Sequence, residues 1–272
     1  MRLILFLICL QSASVFAAPR VVTSIAPLQE ITAAIMKDVG SPQSIIADGA
    51  STHHFAFRPS HMRLLQQADL VIWIDRHFEA GFQRVAETLP RTTSQLEILP
   101  ALGIDGGDGH IWYSPHRLQQ IIKIITARLL ELDPDNQARY RNNAQQLSAA
   151  IAAWRAETLA QLSDRQPRFI ADHAFTSHLQ ADMGYAPIAT IHDQHDGHGG
   201  LRQLGQIEEL LRQQPANCLL TQESPAAPLA LELAQKYSLK VITLTPAAET
   251  ESQMPAIIRR LQGISSALRQ CS

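Results

Sequence analysis

Residues 135–166 contain neither glycine nor proline, although the chain holds 13 of the one and 15 of the other. Asp133-Pro134 in front of this stretch is a helix start, an N-cap side chain followed by proline at the first helical position. Behind it Tyr140, Ala144, Leu147, Ile151, Trp154, Thr158 and Leu162 recur at three- and four-residue steps, a one-faced apolar stripe. The pattern predicts one helix within 133–166, about 29 residues and roughly 43 Å long, enough to cross a whole lobe. A rod of that length divides whatever is built around it.

Short β-rich apolar runs stand on both sides. Before the rod they are Val21-Val22-Thr23-Ser24-Ile25, Ser44-Ile45-Ile46-Ala47 and Asp69-Leu70-Val71-Ile72-Trp73. After it come Arg168-Phe169-Ile170-Ala171, Ile188-Ala189-Thr190-Ile191, Cys218-Leu219-Leu220-Thr221 and Lys240-Val241-Ile242-Thr243-Leu244. Alternation of such runs with helical patterns predicts βα units and largely parallel sheets. The expected fold is α/β: an N-terminal lobe over 18–132 and a C-terminal lobe over 167–272, each a mostly parallel sheet with flanking helices, joined by the long helix. A single stiff connector permits only limited lobe motion. Ligands of open α/β sheets bind outside the carboxyl ends of the strands, so the cleft between the lobes is the expected site.

Composition narrows the class. The hydrophobic content of 46% and the net charge of −2 are wrong for disorder, and no Lys/Arg excess marks a nucleic-acid surface. Residues 1–17, MRLILFLICLQSASVFA, read as a secretory signal, with Arg2, an apolar stretch from Leu3 to Leu10 and small residues before a cleavage point after Ala17. That stretch is far short of the ~20 residues that span a bilayer. Cys9 lies inside the stretch, not after the cleavage point where a lipoprotein would carry it. The expected product is exported, soluble and monomeric. Cys218 and Cys271 remain in it, and two cysteines in an exported chain favour a disulfide; a metal site is the weaker alternative, since no CxxC or Cys-His pairing is present.

Eleven histidines need a reason. His53 and His54 follow an early strand, His110 precedes a helix begun by Ser114-Pro115, and His173 closes the first strand of the second lobe. In an extended segment neighbours point to opposite sides, so only one of His53 and His54 faces a given ion. Three imidazoles plus one further donor make a tetrahedral zinc site. Taken singly, each of these residues fits an isolated capping or surface role better than a ligand's. His61, His77, His116 and His178 read as helix-surface residues, and Asp75, Arg76 and Glu79 as a charged cluster after a strand.

The segment Gly49-Ala50-Ser51-Thr52-His53, followed by Arg58-Pro59-Ser60, resembles the first ligand motif of the zinc/manganese substrate-binding proteins of metal ABC transporters. His110-Ile111-Trp112-Tyr113-Ser114-Pro115 is similar to their second motif, and Asp172-His173-Ala174-Phe175 with Met183-Gly184-Tyr185 to their third. The likeness covers nearly the whole exported chain, in order. It implies the fold of a metal-binding periplasmic binding protein, with His53, His110 and His173 as ligands and zinc as the transported ion. It also implies a Cys218–Cys271 disulfide, a periplasmic location and an ABC permease in the inner membrane as partner. A periplasmic metallochaperone is a further expected partner, and nucleic acid is not.

Two departures from the family pattern matter. Where the family has Leu-Asp-Pro, this chain has Leu244-Thr245-Pro246, so a carboxylate donor is missing and a nitrogen-rich site favours zinc over manganese. The fourth donor is then water, Glu223 or a loop residue; Glu223 also suits a role in accepting the free N–H of a ligand imidazole. In place of the family's long His-rich insertion before the second motif, the chain has Ile191-His192-Asp193-Gln194-His195-Asp196-Gly197-His198-Gly199-Gly200. This tract is expected to act either as an auxiliary metal loop through His192, His195 and His198 or as a solvated polar loop. The rival from another class is a zinc-dependent hydrolase using three histidines and a water, with Glu223 as its general base.

Overall fold

The computed structural model describes residues 17–47, 55–192, 201–222, 226–244 and 253–272. The expected signal segment, His53, His54, Glu223, His195, His198 and Thr245-Pro246 lie outside the described residues, apart from Ala17 of the signal.

Two parallel sheets carry the fold. In the first, β1 (Val21–Ile25), β2 (Gln43–Ile46), β3 (Leu70–Trp73) and β4 (Ser94–Glu97) lie in the order β2-β1-β3-β4. In the second, β5 (Phe169–His173), β6 (Thr190–His192), β7 (Cys218–Thr221) and β8 (Lys240–Thr243) lie in the order β6-β5-β7-β8. The same winding is thus used twice, without a repeat visible in sequence. β1, β3 and β7 are buried at every residue, as continuous apolar runs flanked by helices should be. β4 had no apolar signature: of Ser94-Gln95-Leu96-Glu97 only Leu96 is buried, because it is an edge strand.

Helices connect the strands. α1 (Ala26–Ile35), α2 (Pro59–Gln66), α3 (Ala80–Ala86), α4 (Ile98–Ala101) and α5 (Pro115–Leu132) belong to the first half. The long helix α6 (Gln137–Gln161) follows, then α7 (Ser177–Met183), α8 (Leu201–Gln213), α9 (Pro228–Lys236) and α10 (Ala256–Gln270).

α6 is shorter than the expected rod. Its 25 residues extend about 37 Å. At the front, Pro134–Asn136 forms a 3-10 turn, held by Asp133, whose Oδ2 accepts from Asn136 Nδ2 at 2.9 Å and from the Tyr140 hydroxyl at 2.7 Å. At the back, Ser163 to Gln166 are exposed polar residues with no apolar surface to keep them helical. The expected stripe is otherwise the buried one: Tyr140, Ala144, Leu147, Ile151, Trp154 and Thr158 all face inward.

One apolar core runs from the first sheet through α5 and α6 to β5 and α10. A second, smaller core fills the far side of the second sheet, with Ile170, Ile191, Leu219 and Leu233 at its centre. The C-terminal helix α10 therefore leaves its own half and packs on α1 and α6. There Arg260 forks onto Glu30 of α1, Nε to Oε2 at 3.0 Å and Nη2 to Oε1 at 2.6 Å, with both side chains nearly out of solvent. The other end of α10 is pinned by the Cys218–Cys271 disulfide, with the Cys271 carbonyl accepting from the Arg168 amide at 2.8 Å.

Candidate metal centre

His110 and His173 come together across the two halves. Their ring centroids are 5.3 Å apart. A zinc–nitrogen bond of about 2.0–2.1 Å puts each imidazole centroid about 3.2 Å from the ion, and a tetrahedral angle then separates two centroids by about 5.2 Å. The observed spacing is compatible with two imidazoles on one tetrahedral ion.

His173 reaches this point because β5 ends there, at the place where the connections from β5 and β7 leave in opposite directions. His110 precedes α5, as its sequence context implied, and does not sit at a strand end. It follows α4 and a glycine-rich loop, and it opens a 3-10 turn over Ile111–Tyr113 that leads into α5. The residue before it must be glycine, since a Cβ at Gly109 would lie 2.3 Å from the Phe78 ring. Phe78 in turn packs edge-on against His110 with centroids 5.1 Å apart, and Trp112 and Phe175 complete an aromatic collar. His110 is only 5% exposed.

Each imidazole is turned by a carboxylate from just upstream. Asp108 Oδ1 accepts from the His110 amide at 2.9 Å and contacts its Nδ1 at 2.8 Å. Asp172 Oδ1 accepts from the His173 amide at 2.8 Å and contacts its Nδ1 at 2.8 Å. A carboxylate can only accept, so Nδ1 is the donor in both contacts. The second oxygen of Asp172 accepts from the Thr221 hydroxyl of β7. Burial works to raise the Asp108 carboxyl, yet hydrogen bonds from His110 and Ser177 hold it well below the usual carboxylate range. Neither aspartate belongs to the ligand set read from the sequence; the available signal is an aspartate one or two residues before a candidate ligand.

Other expected residues are placed as follows. His192 ends β6 in register with His173 on the neighbouring strand. Among the described residues no group of three or more His, Cys, Asp or Glu side chains is gathered closely enough to hold an ion; His53 is outside them. His61 accepts from the Arg58 amide at 3.2 Å and so closes the start of α2. His178 is not a plain surface residue, since its Nε2 donates to the Asp108 carbonyl at 2.8 Å. The cluster after β3 splits into separate tasks: Asp75 accepts from the His77 and Phe78 amides, Arg76 turns to Glu97, and Glu79 accepts from the Ile74 amide at 2.7 Å. Burial pushes the Glu79 carboxyl up to about 7.

Comparison with known proteins gives the family and the fold. The model of the family described as zinc-uptake complex component A, periplasmic (ZnuA), matches residues 21–271. The chain is 27% identical over 265 residues to the high-affinity zinc uptake system protein ZnuA of Yersinia pestis, covering 85% of this chain and 83% of that protein. It is 26% identical over 216 residues to the protein of the same description from Paracoccus denitrificans, covering 64% and 66%. Among solved structures, a mutant of the laminin-binding adhesin Lmb of Streptococcus agalactiae superposes with a TM-score of 0.79 at 19% identity, over 93% of this chain and 100% of that one. With its family model spanning both sheets, the long helix and the two carboxylate-backed imidazoles, the chain belongs to the ZnuA family of periplasmic zinc-uptake components.

Proposed function

We propose that this protein captures zinc in the periplasm and delivers it to the permease of an ABC-type importer, holding the ion with His53, His110 and His173. The observation that carries the reading is the approach of His110 and His173 from opposite halves, each with Nδ1 occupied by its own aspartate. His53 supplies the third nitrogen, and water, Glu223 or a loop residue the fourth donor. An ion bound this way bridges the lobes. Residues 1–17 act as an export signal, and no helix among the described residues is long and apolar enough to cross a membrane. The protein works as a monomer without enzymatic activity; the hydrolase reading has no support from a family of uptake components.

The register of His192 with His173 supports an auxiliary role for the tract it begins. His192, His195 and His198 gather an ion, or receive it from a metallochaperone. Deletion of His192–His198 is expected to lower zinc stoichiometry or slow transfer, and unchanged values of both would end that part of the proposal.

The main test is native mass spectrometry for metal identity and stoichiometry on the protein and on His53→Ala, His110→Ala and His173→Ala. Each variant is expected to lose the tightly held zinc. Because an imidazole must be neutral to ligate and its reference pKa is about 6.5, affinity is also expected to fall steeply below about pH 6.5. A flat affinity between pH 5 and 8 would count against histidine ligation.

A further inference from the structure

Asp108 divides its acceptors between the two halves of the molecule. Oδ1 serves His110, through both the amide and Nδ1. Oδ2 accepts from the Ser177 hydroxyl, and the Asp108 carbonyl accepts from His178 Nε2 at 2.8 Å. Ser177 and His178 open α7, the helix that follows His173 in the chain. The far end of α7 is fastened to the first half as well. Asp182 Oδ2 accepts from the Ser114 hydroxyl and from the His116 amide at 2.8 Å, which closes the start of α5, and the Asp182 carbonyl accepts from Arg155 at 3.1 Å. Gly184, left-handed at φ 80°, ends the helix directly after this contact.

The side chains of Asp108, His110 and His178 are 13%, 7% and 19% exposed, so water is a poor substitute for any partner lost. A carboxylate held on both oxygens has one orientation, and it passes that orientation to the ring it touches. Freed on the Ser177 side, it can rotate and leave Nδ1 of His110 without a fixed acceptor.

We propose that Asp108 is a positioning residue that couples the grip of His110 on the ion to the seating of α7 against the first half of the molecule. Lifting α7 releases the carboxylate, loosens the His110 ring and lets the ion go. A permease that pries the two halves apart at α7 would thereby trigger release without touching a ligand. The inference rests on His110 being a ligand.

The test measures zinc dissociation from the full-length loaded protein into a chelator by stopped flow, with equilibrium affinity alongside. Ser177→Ala combined with His178→Phe is expected to raise the dissociation rate about tenfold, and Asp108→Asn to weaken affinity about 10–100-fold, the range for partners one step beyond a metal ligand. The triple variant should release zinc no faster than Asp108→Asn alone, because both routes disable the same carboxylate. Ser177→Thr in the His178→Phe background, which keeps the hydroxyl, should restore much of the slow rate. A Ser177→Ala/His178→Phe rate within about twofold of the parent, or effects that multiply in the triple variant, overturns the coupling. His110→Ala run in parallel separates the two failures. Unchanged affinity there removes the ligand assignment and the coupling with it, whereas lost affinity there with inert α7 variants removes the coupling alone.

Discussion

Replacing Arg260 with methionine should be among the most destabilising single changes available to this fold. The guanidinium makes two parallel contacts with Glu30, at 3.0 and 2.6 Å, and the two side chains are 8% and 6% exposed. Arg260 stands on α10 and Glu30 on α1, 230 positions apart, so the pair joins the C-terminal helix to the first half of the molecule. Methionine fills much of the space but removes the Arg260 charge and both of its contacts with the buried Glu30 carboxylate. Removing one partner of such a pair is worth about 3–5 kcal/mol. For a chain of this size each kcal/mol moves the melting temperature by about 2–4 °C, so a fall of roughly 6–20 °C is expected. Calorimetry and urea unfolding should be done on metal-free protein, because bound zinc stabilises by mass action and would mask the change. The double variant Arg260→Met/Glu30→Met removes both charges and should recover most of the loss, since apolar replacement of a buried pair is often neutral or better. A single-variant loss under about 1 kcal/mol, or single losses that simply add in the double, would refute the argument.

The Glu79 carboxyl is fully buried and raised from 4.5 to about 7, so the folded protein keeps a proton that the unfolded chain gives up. Its contribution is fully present below about pH 4.5 and is lost as pH rises through about 7, a swing of about 3 kcal/mol. Glu79→Gln should remove that slope from a stability-against-pH curve while keeping the acceptor for the Ile74 amide; parallel curves for the two proteins would sink the idea. The disulfide closes a loop of 53 positions, which by chain entropy is worth up to about 4 kcal/mol. Cys218→Ala/Cys271→Ala should lower the unfolding midpoint accordingly, and a change below about 1 kcal/mol would show that packing on α1 and α6 holds α10 in place without the disulfide.

Much of the molecule can be read from neighbouring residues. The runs at Val21, Leu70, Phe169 and Cys218 announce buried strands, because a parallel strand covered on both faces is predominantly apolar. The stripe from Tyr140 to Thr158 announces the long helix for the corresponding reason of period. β4 escaped because an edge strand needs one apolar anchor, Leu96, and its other residues look like a loop. The ends of α6 were overdrawn because absence of glycine and proline permits a helix without requiring one. Asp108 and Asp172 were visible as letters but not as parts of the site. An aspartate beside a histidine is common, and its role appears only when both oxygens have been traced, one of them to Ser177 or Thr221 far along the chain.

What sequence alone determined here is the buried strands, the long helix and the histidines carried near such elements, since these follow from short-range periodicity and turn chemistry. Only the tertiary structure decided that α10 crosses to α1, that α7 fastens to the opposite half, and that His110 and His173 meet. Those contacts join groups tens to hundreds of positions apart. Their closure is opposed by chain entropy and favoured only by the packing of whole faces, which no local stretch of residues encodes.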